Sequence, residues 1–161
     1  VVVMVQGDEP MTTPEMITQS LKPFHDEPSV NVVNLMLELE SDLEFEDPNE
    51  VKVVIDKNSD AIYFSREPIP SKKKGVSNGP MLKQVCVIPF RREYLLKFNR
   101  MDETILEKIE SVDMLRVLEN GGKVRMIYSQ TPSFSVDTKQ DLAKVVSAME
   151  NDKLMLSYVA V

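Results

Sequence analysis

The sequence predicts an α/β fold with a mixed sheet, and three observations carry that prediction. Val1-Val2-Val3-Met4-Val5 is an apolar, mostly β-branched run that stops at Gly7-Asp8-Glu9-Pro10, the pattern of a strand buried on both faces and ended by an acidic loop. From Ile105 to Glu119, apolar residues recur at spacings of three and four, the period of an amphipathic helix. Val51 to Ile55 and Ala61 to Ser65 flank the turn-rich Asp56-Lys57-Asn58-Ser59-Asp60, which reads as a β-hairpin and brings antiparallel pairing into the sheet. Ligands of open α/β sheets gather just beyond the carboxyl ends of strands, so Gln6 to Glu9 stand where chemistry is expected.

Composition narrows the function. The chain has 161 residues, 42% apolar and 28% charged, which suits one α/β domain with a single core. No apolar run reaches the about 18 residues of a spanning helix, and no basic then apolar leader opens the chain. Cys86 is the sole cysteine and His25 the sole histidine, so neither an internal disulfide nor a Cys/His zinc cluster is available, and a reducing cytoplasm fits. The net charge of −7 argues against a nucleic-acid partner, which would need clustered Lys and Arg. An acidic chain can still bind phosphates through a divalent cation. A buried-type strand at the very start needs neighbours on both edges, so the chain is expected to be part of something longer.

The remaining elements follow in order. Thr13-Pro14-Glu15 starts a helix expected to end near Lys22, before Pro23, leaving His25 in a polar loop as an exposed residue and not a catalytic base. Asn31 to Glu40 alternates, with Val33, Leu35, Leu37 and Leu39 on one side and Asn34, Met36, Glu38 and Glu40 on a wetter one. An acidic connection (Asp42, Glu44, Glu46, Asp47) leads to the hairpin. Arg66 then precedes the stiff Pro68-Ile69-Pro70 and a loop, Ser71 to Pro80, whose Lys72-Lys73-Lys74 and glycines suggest a mobile, solvated segment. Gln84 to Ile88 reads as a strand closed by Pro89, and Arg91 to Phe98 as a short helix. Thr104 caps the long helix and Asn120-Gly121-Gly122 ends it. Val124 to Tyr128 is a strand, Ser129 to Ser135 a loop, and Thr138-x-x-Asp141 opens a final helix in capping-box style. The apolar tail, Leu154 to Val161, suits helix or strand.

Two aspartates occupy equivalent addresses: Asp8 after the first strand, and Asp137 between the loop that follows a later strand and a helix. If both strands lie in one sheet, the carboxylates converge. Two hard oxygen ligands suit Mg2+, which binds through one or two carboxylates plus substrate phosphates and water. The competing reading of Asp137 is a helix N-cap, worth about 1 kcal/mol.

Six motifs then occur in register. They are Val5-Gln6-Gly7-Asp8-Glu9-Pro10; Asp47-Pro48-Asn49 leading into Val51-Lys52-Val53-Val54; Ile62-Tyr63-Phe64-Ser65-Arg66 with Pro68-Ile69-Pro70; Phe90-Arg91-Arg92-Glu93; Leu106-Glu107-Lys108-Ile109-Glu110 with Leu115-Arg116; and Val136-Asp137-Thr138 with Asp141-Leu142. Together they resemble the CMP-Kdo synthetases, the 3-deoxy-manno-octulosonate cytidylyltransferases. The resemblance implies a Rossmann-like nucleotide-diphospho-sugar transferase fold with a mixed β-sheet and a homodimer. It implies coupling of CTP to a sugar acid with release of pyrophosphate, for surface polysaccharide such as lipopolysaccharide. It implies Asp8 and Asp137 as Mg2+ ligands and catalytic residues, with Gln6, Gly7, Arg66, Lys73, Gln84 and Asp113 around the substrate.

Departures accompany the likeness. Where the family has histidine, glycine and tyrosine, this chain has Gln84, Cys86 and Ile88; where it has a Glu-Gln pair, Asp113-Met114; and where it has glycine, Ser135. Read as pocket positions, Ile88 and Met114 would leave substrate hydroxyls without partners. The family's upstream basic loop for the nucleotide phosphates has no counterpart in these residues, and no Gly-rich phosphate loop appears. Three readings follow: the substrate-side portion of a Kdo-type cytidylyltransferase, a catalytically silent homologue acting as a binding module, or a cytidylyltransferase for another acidic sugar.

Overall fold

The computed structural model describes residues 1–75 and 79–159, so part of the lysine-rich loop and the last two residues of the apolar tail lie outside the described residues. Among the described residues, seven strands form two sheets. β1 (Val2–Val5) pairs antiparallel with β6 (Val87–Phe90), and the other five run in the order β4-β3-β5-β2-β7. β2 (Val33–Glu38) lies between β5 (Leu82–Val85), to which it is antiparallel, and the edge strand β7 (Arg125–Tyr128), to which it is parallel. β3 (Lys52–Ile55) and β4 (Ala61–Ser65) form the expected hairpin, antiparallel to β5 through β3. The sheet is therefore mixed.

Helix α1 (Pro14–Asp26) covers one face through Met16, which packs with Leu35, Val85 and Val87, and through Phe24, which packs with Val30 and Val33. On the other face α3 (Arg92–Phe98), α4 (Ile105–Glu110) and α5 (Met114–Glu119) bury Phe98, Met114, Leu115 and Val117 against Met36, Val53, Phe64, Leu82 and Met126. The chain closes with α6 (Lys139–Met149) and α7 (Lys153–Val159), so the tail is helical where described. A short helix, α2 (Asp42–Glu46), capped by Ser41, stands in the acidic connection and buries Phe45. No described helix is long and apolar enough to cross a membrane.

Several expectations are corrected. The opening strand is not buried on both faces: β1 belongs to a two-stranded sheet, and Val2 and Val5 are 42% and 40% exposed. Helix α1 runs through Pro23 and carries exposed His25 in its last turn. An interior proline costs about 3 kcal/mol. Here Phe24 is buried beside it, and Arg91 lies over the Phe24 ring at 5.2 Å while Nη2 donates to the Phe24 carbonyl (3.0 Å) and Nε to that of Val30 (2.7 Å). The second face of β2 is wetter only at its far end: Asn34 and Met36 are fully buried, whereas Glu38 and Glu40 are exposed. The strand expected over Gln84 to Ile88 is two strands that change sheets at Cys86, with Pro89 inside β6 opposite Val3.

The largest revision is the long helix. It breaks into α4 and α5 at Ser111, whose φ of 54° and ψ of 48° are left-handed. Glu119 of α5 folds back so that its carboxylate accepts from the backbone N–H of Leu106 (3.1 Å) and of Glu107 (3.4 Å). In one straight helix those residues would stand about 20 Å apart at 1.5 Å per residue. Buried Glu107 meets the Arg116 guanidinium, with Nε at 2.8 Å, and Ile105 and Ile109 are left 74% and 69% exposed.

The end of α5 is as expected. Gly121 has φ of 71° and donates to the Leu118 carbonyl, and Gly122 donates to that of Val117, the paired bonds of a Schellman motif. A Cβ on Gly122 would lie 2.4 Å from Tyr94 Oη and 2.9 Å from the Val117 carbonyl oxygen. Gly122→Ala is therefore expected to lower the unfolding free energy by about 1–3 kcal/mol, the usual cost of overpacking. An unchanged urea midpoint would contradict this.

Candidate functional site

β1 ends at Val5; the next residue, Gln6, donates its N–H to the Cys86 carbonyl (3.2 Å), and the acidic loop follows. The Asp8 carbonyl accepts from the Val136 N–H at 2.9 Å, which ties this loop to the segment before α6. Asp8 and Asp137 consequently line one cleft of about 90 Å³, although their strands lie in different sheets. Thr138, not Asp137, is the N-cap of α6: its N–H donates to Asp141 Oδ2 (2.9 Å) and its Oγ1 accepts from the Asp141 N–H (3.2 Å). Asp137 is exposed and its side chain has no hydrogen-bond partner among the described residues, so capping does not explain it. Asp8 Oδ1 is buried and also unpartnered among the described residues. A buried carboxylate oxygen without a donor costs free energy unless something else meets it.

Glu9, which sequence reasoning gave no role, braces this corner. Its carboxylate accepts from the Cys86 N–H (3.1 Å) and from the Ser133 hydroxyl, joining the β5–β6 junction to the loop after β7. Burial pushes the Glu9 carboxyl above its ordinary range against the opposing hydrogen bonds from Ser133 and Cys86. Burial likewise pushes the Cys86 thiol up, which makes it an inert wall and not a nucleophile. Because the Glu9 carboxyl is raised in the folded state, its contribution is complete below the unfolded value near 4.5 and is lost as pH rises through the native value. Glu9→Gln keeps the shape and is expected to remove that loss, flattening the fall in melting temperature as pH rises above the unfolded value near 4.5. A pH dependence equal to the parent's would refute it.

The cleft opens at both ends. One lobe, about 380 Å³, is lined by Gln6, Arg66, Gln84, Cys86 and Asp113; the other, about 440 Å³, by Lys83, Asp137 and the loop of residues 129–135. Five of the predicted residues (Gln6, Asp8, Arg66, Gln84 and Asp137) thus share the central cleft, and Asp113 joins in the adjoining lobe. Gly7 is exposed, and a Cβ there would meet open space. Lys73 is exposed in the turn closed by Gly75 N–H to the Lys72 carbonyl, and is not among the described residues lining these spaces. Its neighbour Lys72 instead pairs with Asp42 and lies 4.6 Å over the Phe45 ring.

Arg66 is more tethered than an isolated anion fork. Nε donates to the Glu110 carbonyl (2.8 Å), Nη1 to Pro48 (2.9 Å) and Nη2 to Ser111 (3.4 Å). The Glu110 carboxylate accepts from Ser65 Oγ (2.9 Å), Tyr63 Oη (3.1 Å) and the Arg66 N–H (2.8 Å). Among the described residues, two guanidinium N–H groups have no partner and remain for a ligand. Asp113 precedes α5, and burial, then the nearby Glu107 charge, push its carboxyl up while Arg116 opposes them. Lys83 pairs with Glu50 at 2.9 Å in the cleft wall. Ile88 and Met114 are fully buried in the main core and line none of this, so they are packing residues and not lost pocket donors.

Hard carboxylate oxygens, one of them orphaned, fit a divalent cation that completes its shell with water and phosphate. Among the described residues no group of three or more His, Cys, Asp or Glu forms a closed metal cage. The mixed sheet, covered by helices and carrying an acidic cleft at strand ends, defines a nucleotidyltransferase-like α/β domain. The chain belongs to the cytidylyltransferase family, which it matches over residues 1–127. It is 39% identical over 154 residues to the 3-deoxy-manno-octulosonate cytidylyltransferase of Pelobacter propionicus, covering 89% of this chain and 60% of that protein. The enzyme of that name from Geobacter metallireducens is 40% identical over 159 residues, covering 92% and 63%. A solved CMP:2-keto-3-deoxy-manno-octonic acid synthetase complexed with CTP superposes with a TM-score of 0.83 at 33% identity, covering 92% of this chain and 61% of that one. The chain thus spans about three fifths of the length of these relatives.

Proposed function

We propose that this chain carries the metal and sugar-acid side of a cytidylyl transfer. A hydroxyl of a 3-deoxy-ulosonic acid attacks the α-phosphorus of CTP; the new O–P bond forms as the bond to pyrophosphate breaks, and the hydroxyl proton is lost. The observation that carries this reading is the bond from the Val136 N–H to the Asp8 carbonyl, which sets Asp8 and Asp137 on one cleft wall with a buried carboxylate oxygen unmet.

Asp8 and Asp137 would hold Mg2+, which when bound offsets the charge on the phosphate oxygens. Glu9 keeps their loop in place through Cys86 and Ser133. Arg66, anchored through three carbonyls, offers its remaining N–H groups to the sugar carboxylate, and Gln6, Gln84 and Asp113 face the same lobe. Such preorganisation lowers the entropy cost of aligning hydroxyl and phosphorus. The silent-homologue reading loses part of its motive, because Ile88 and Met114 are core residues.

The test is pyrophosphate release from CTP and 3-deoxy-manno-octulosonate with Mg2+, using this chain alone and fused to the part of the Pelobacter propionicus relative that it does not cover. Release from the fusion is expected. No release with this or any other 3-deoxy-ulosonic acid would sink the proposal.

A further inference from the structure

Asn34 is the second residue of β2, fully buried, in a face otherwise given to Val32 and Met36. A buried amide is costly unless each of its groups is bonded. Its Nδ2 donates to the Leu35 carbonyl (2.9 Å) and the Val85 carbonyl (2.7 Å), which consumes both amide hydrogens. Neither carbonyl can donate in return, so the orientation of Asn34 is not free: Oδ1 must face the next strand as an acceptor. It accepts there from Gln84 Nε2 at 2.6 Å.

That bond dictates which way Gln84 faces. One N–H of its NH2 group is bonded to Asn34, which fixes the turn of the amide and leaves its carbonyl oxygen Oε1, unpartnered among the described residues, for the lobe that Gln84 lines with Gln6, Arg66 and Asp113. A free glutamine could present either end of its amide, and only the buried asparagine removes the choice. We propose that Asn34 is a positioning residue that locks Gln84 as a hydrogen-bond acceptor, and that the ligand offers a hydroxyl donor at that point. This deepens the sugar-acid reading above and rests on it: a polyhydroxylated acid would bring its carboxylate to Arg66 and a hydroxyl to Gln84. A site built to accept from a hydroxyl rejects an analogue that lacks it, because the buried acceptor is then left unpaired.

The test is calorimetric titration of 3-deoxy-manno-octulosonate and its single-deoxy analogues into this chain, Gln84→Leu, Asn34→Ala and the double variant. Loss of one hydrogen bond weakens binding about tenfold. Gln84→Leu and Asn34→Ala should each show that loss, and the double variant should be no weaker than Gln84→Leu. One deoxy analogue should bind the parent about tenfold more weakly than the full sugar acid while Gln84→Leu no longer distinguishes the two. Unchanged affinity in Gln84→Leu, or losses that add in full in the double variant, would overturn the proposal. If Asn34→Ala does not fold, side-chain amide exchange in the parent decides: one slowly exchanging Gln84 Nε2 proton supports the lock, and two fast ones overturn it. Absence of any sugar-acid binding by the parent defeats this inference, whereas pyrophosphate release by the fusion separately decides the functional reading.

Discussion

Asp137→Asn is expected to cut pyrophosphate release by the fused chain by on the order of 100- to 1,000-fold, the range seen when one preorganised charge-stabilising group is removed. The substitution conserves shape, and the exposed side chain of Asp137 makes no hydrogen bond among the described residues, so stability should stay within about 0.5 kcal/mol. Asp8→Asn should act in the same way. If the two carboxylates serve one cation, the double variant should be little worse than either single one. Turnover that survives Asp137→Asn would remove the metal assignment. Turnover lost together with stability would return Asp137 to a structural role.

The second large effect concerns Lys52, which is fully buried on β3. Its Nζ donates to the carbonyls of Asp47 (2.8 Å), Glu50 (2.7 Å) and Arg66, so one ammonium closes the loop of residues 47–50 onto the end of β4. No carboxylate makes a salt bridge to it among the described residues, and burial pulls its pKa down. Lys52→Met keeps the apolar stem and strands three carbonyls, each costing about 1–3 kcal/mol when left unmet. Relief from burying a charge offsets part of that. The expected net loss is about 3 kcal/mol of unfolding free energy, read from urea titration. Because Asn49, Glu50 and Arg66 line the cleft, weaker sugar-acid binding should accompany it. A variant as stable as the parent would show that the carbonyls find other donors.

Both effects lie at residues whose sequence signals differ. Asp137 has an address, between a strand's following loop and a helix, that points to a role, whereas Lys52 reads as the one charged residue in an apolar hairpin strand, and its role exists only because three carbonyls converge on it. Asn34 is similar: in the alternating pattern it looks like a solvent-facing residue, and only the neighbouring β5 makes it a buried lock for Gln84. Glu9 stands in the same acidic loop as Asp8, but nothing local distinguishes the carboxylate that braces from the one left unmet.

Properties that depend on near neighbours were legible in the chain. The hairpin around Asp56 to Asp60, the Thr138–Asp141 capping box and the Gly121-Gly122 stop are each set by contacts within a few residues, and each stands as read. The family likeness was legible for the same reason, since short motifs keep their order. What the tertiary structure decided depends on partners distant in sequence. Glu119 reaching back to Leu106 splits a helix that periodicity made continuous, and Phe24 with Arg91 carries α1 through a proline that local rules treat as a stop. Cys86 divides one apolar run between two sheets because Glu9 and Gln6 take up its backbone groups. Asp8 and Asp137 converge across different sheets through one backbone hydrogen bond. Periodicity reports which face of an element is apolar; where that element ends, and which polar atoms are left to meet a ligand, is settled by long-range contacts whose free energies exceed local preference.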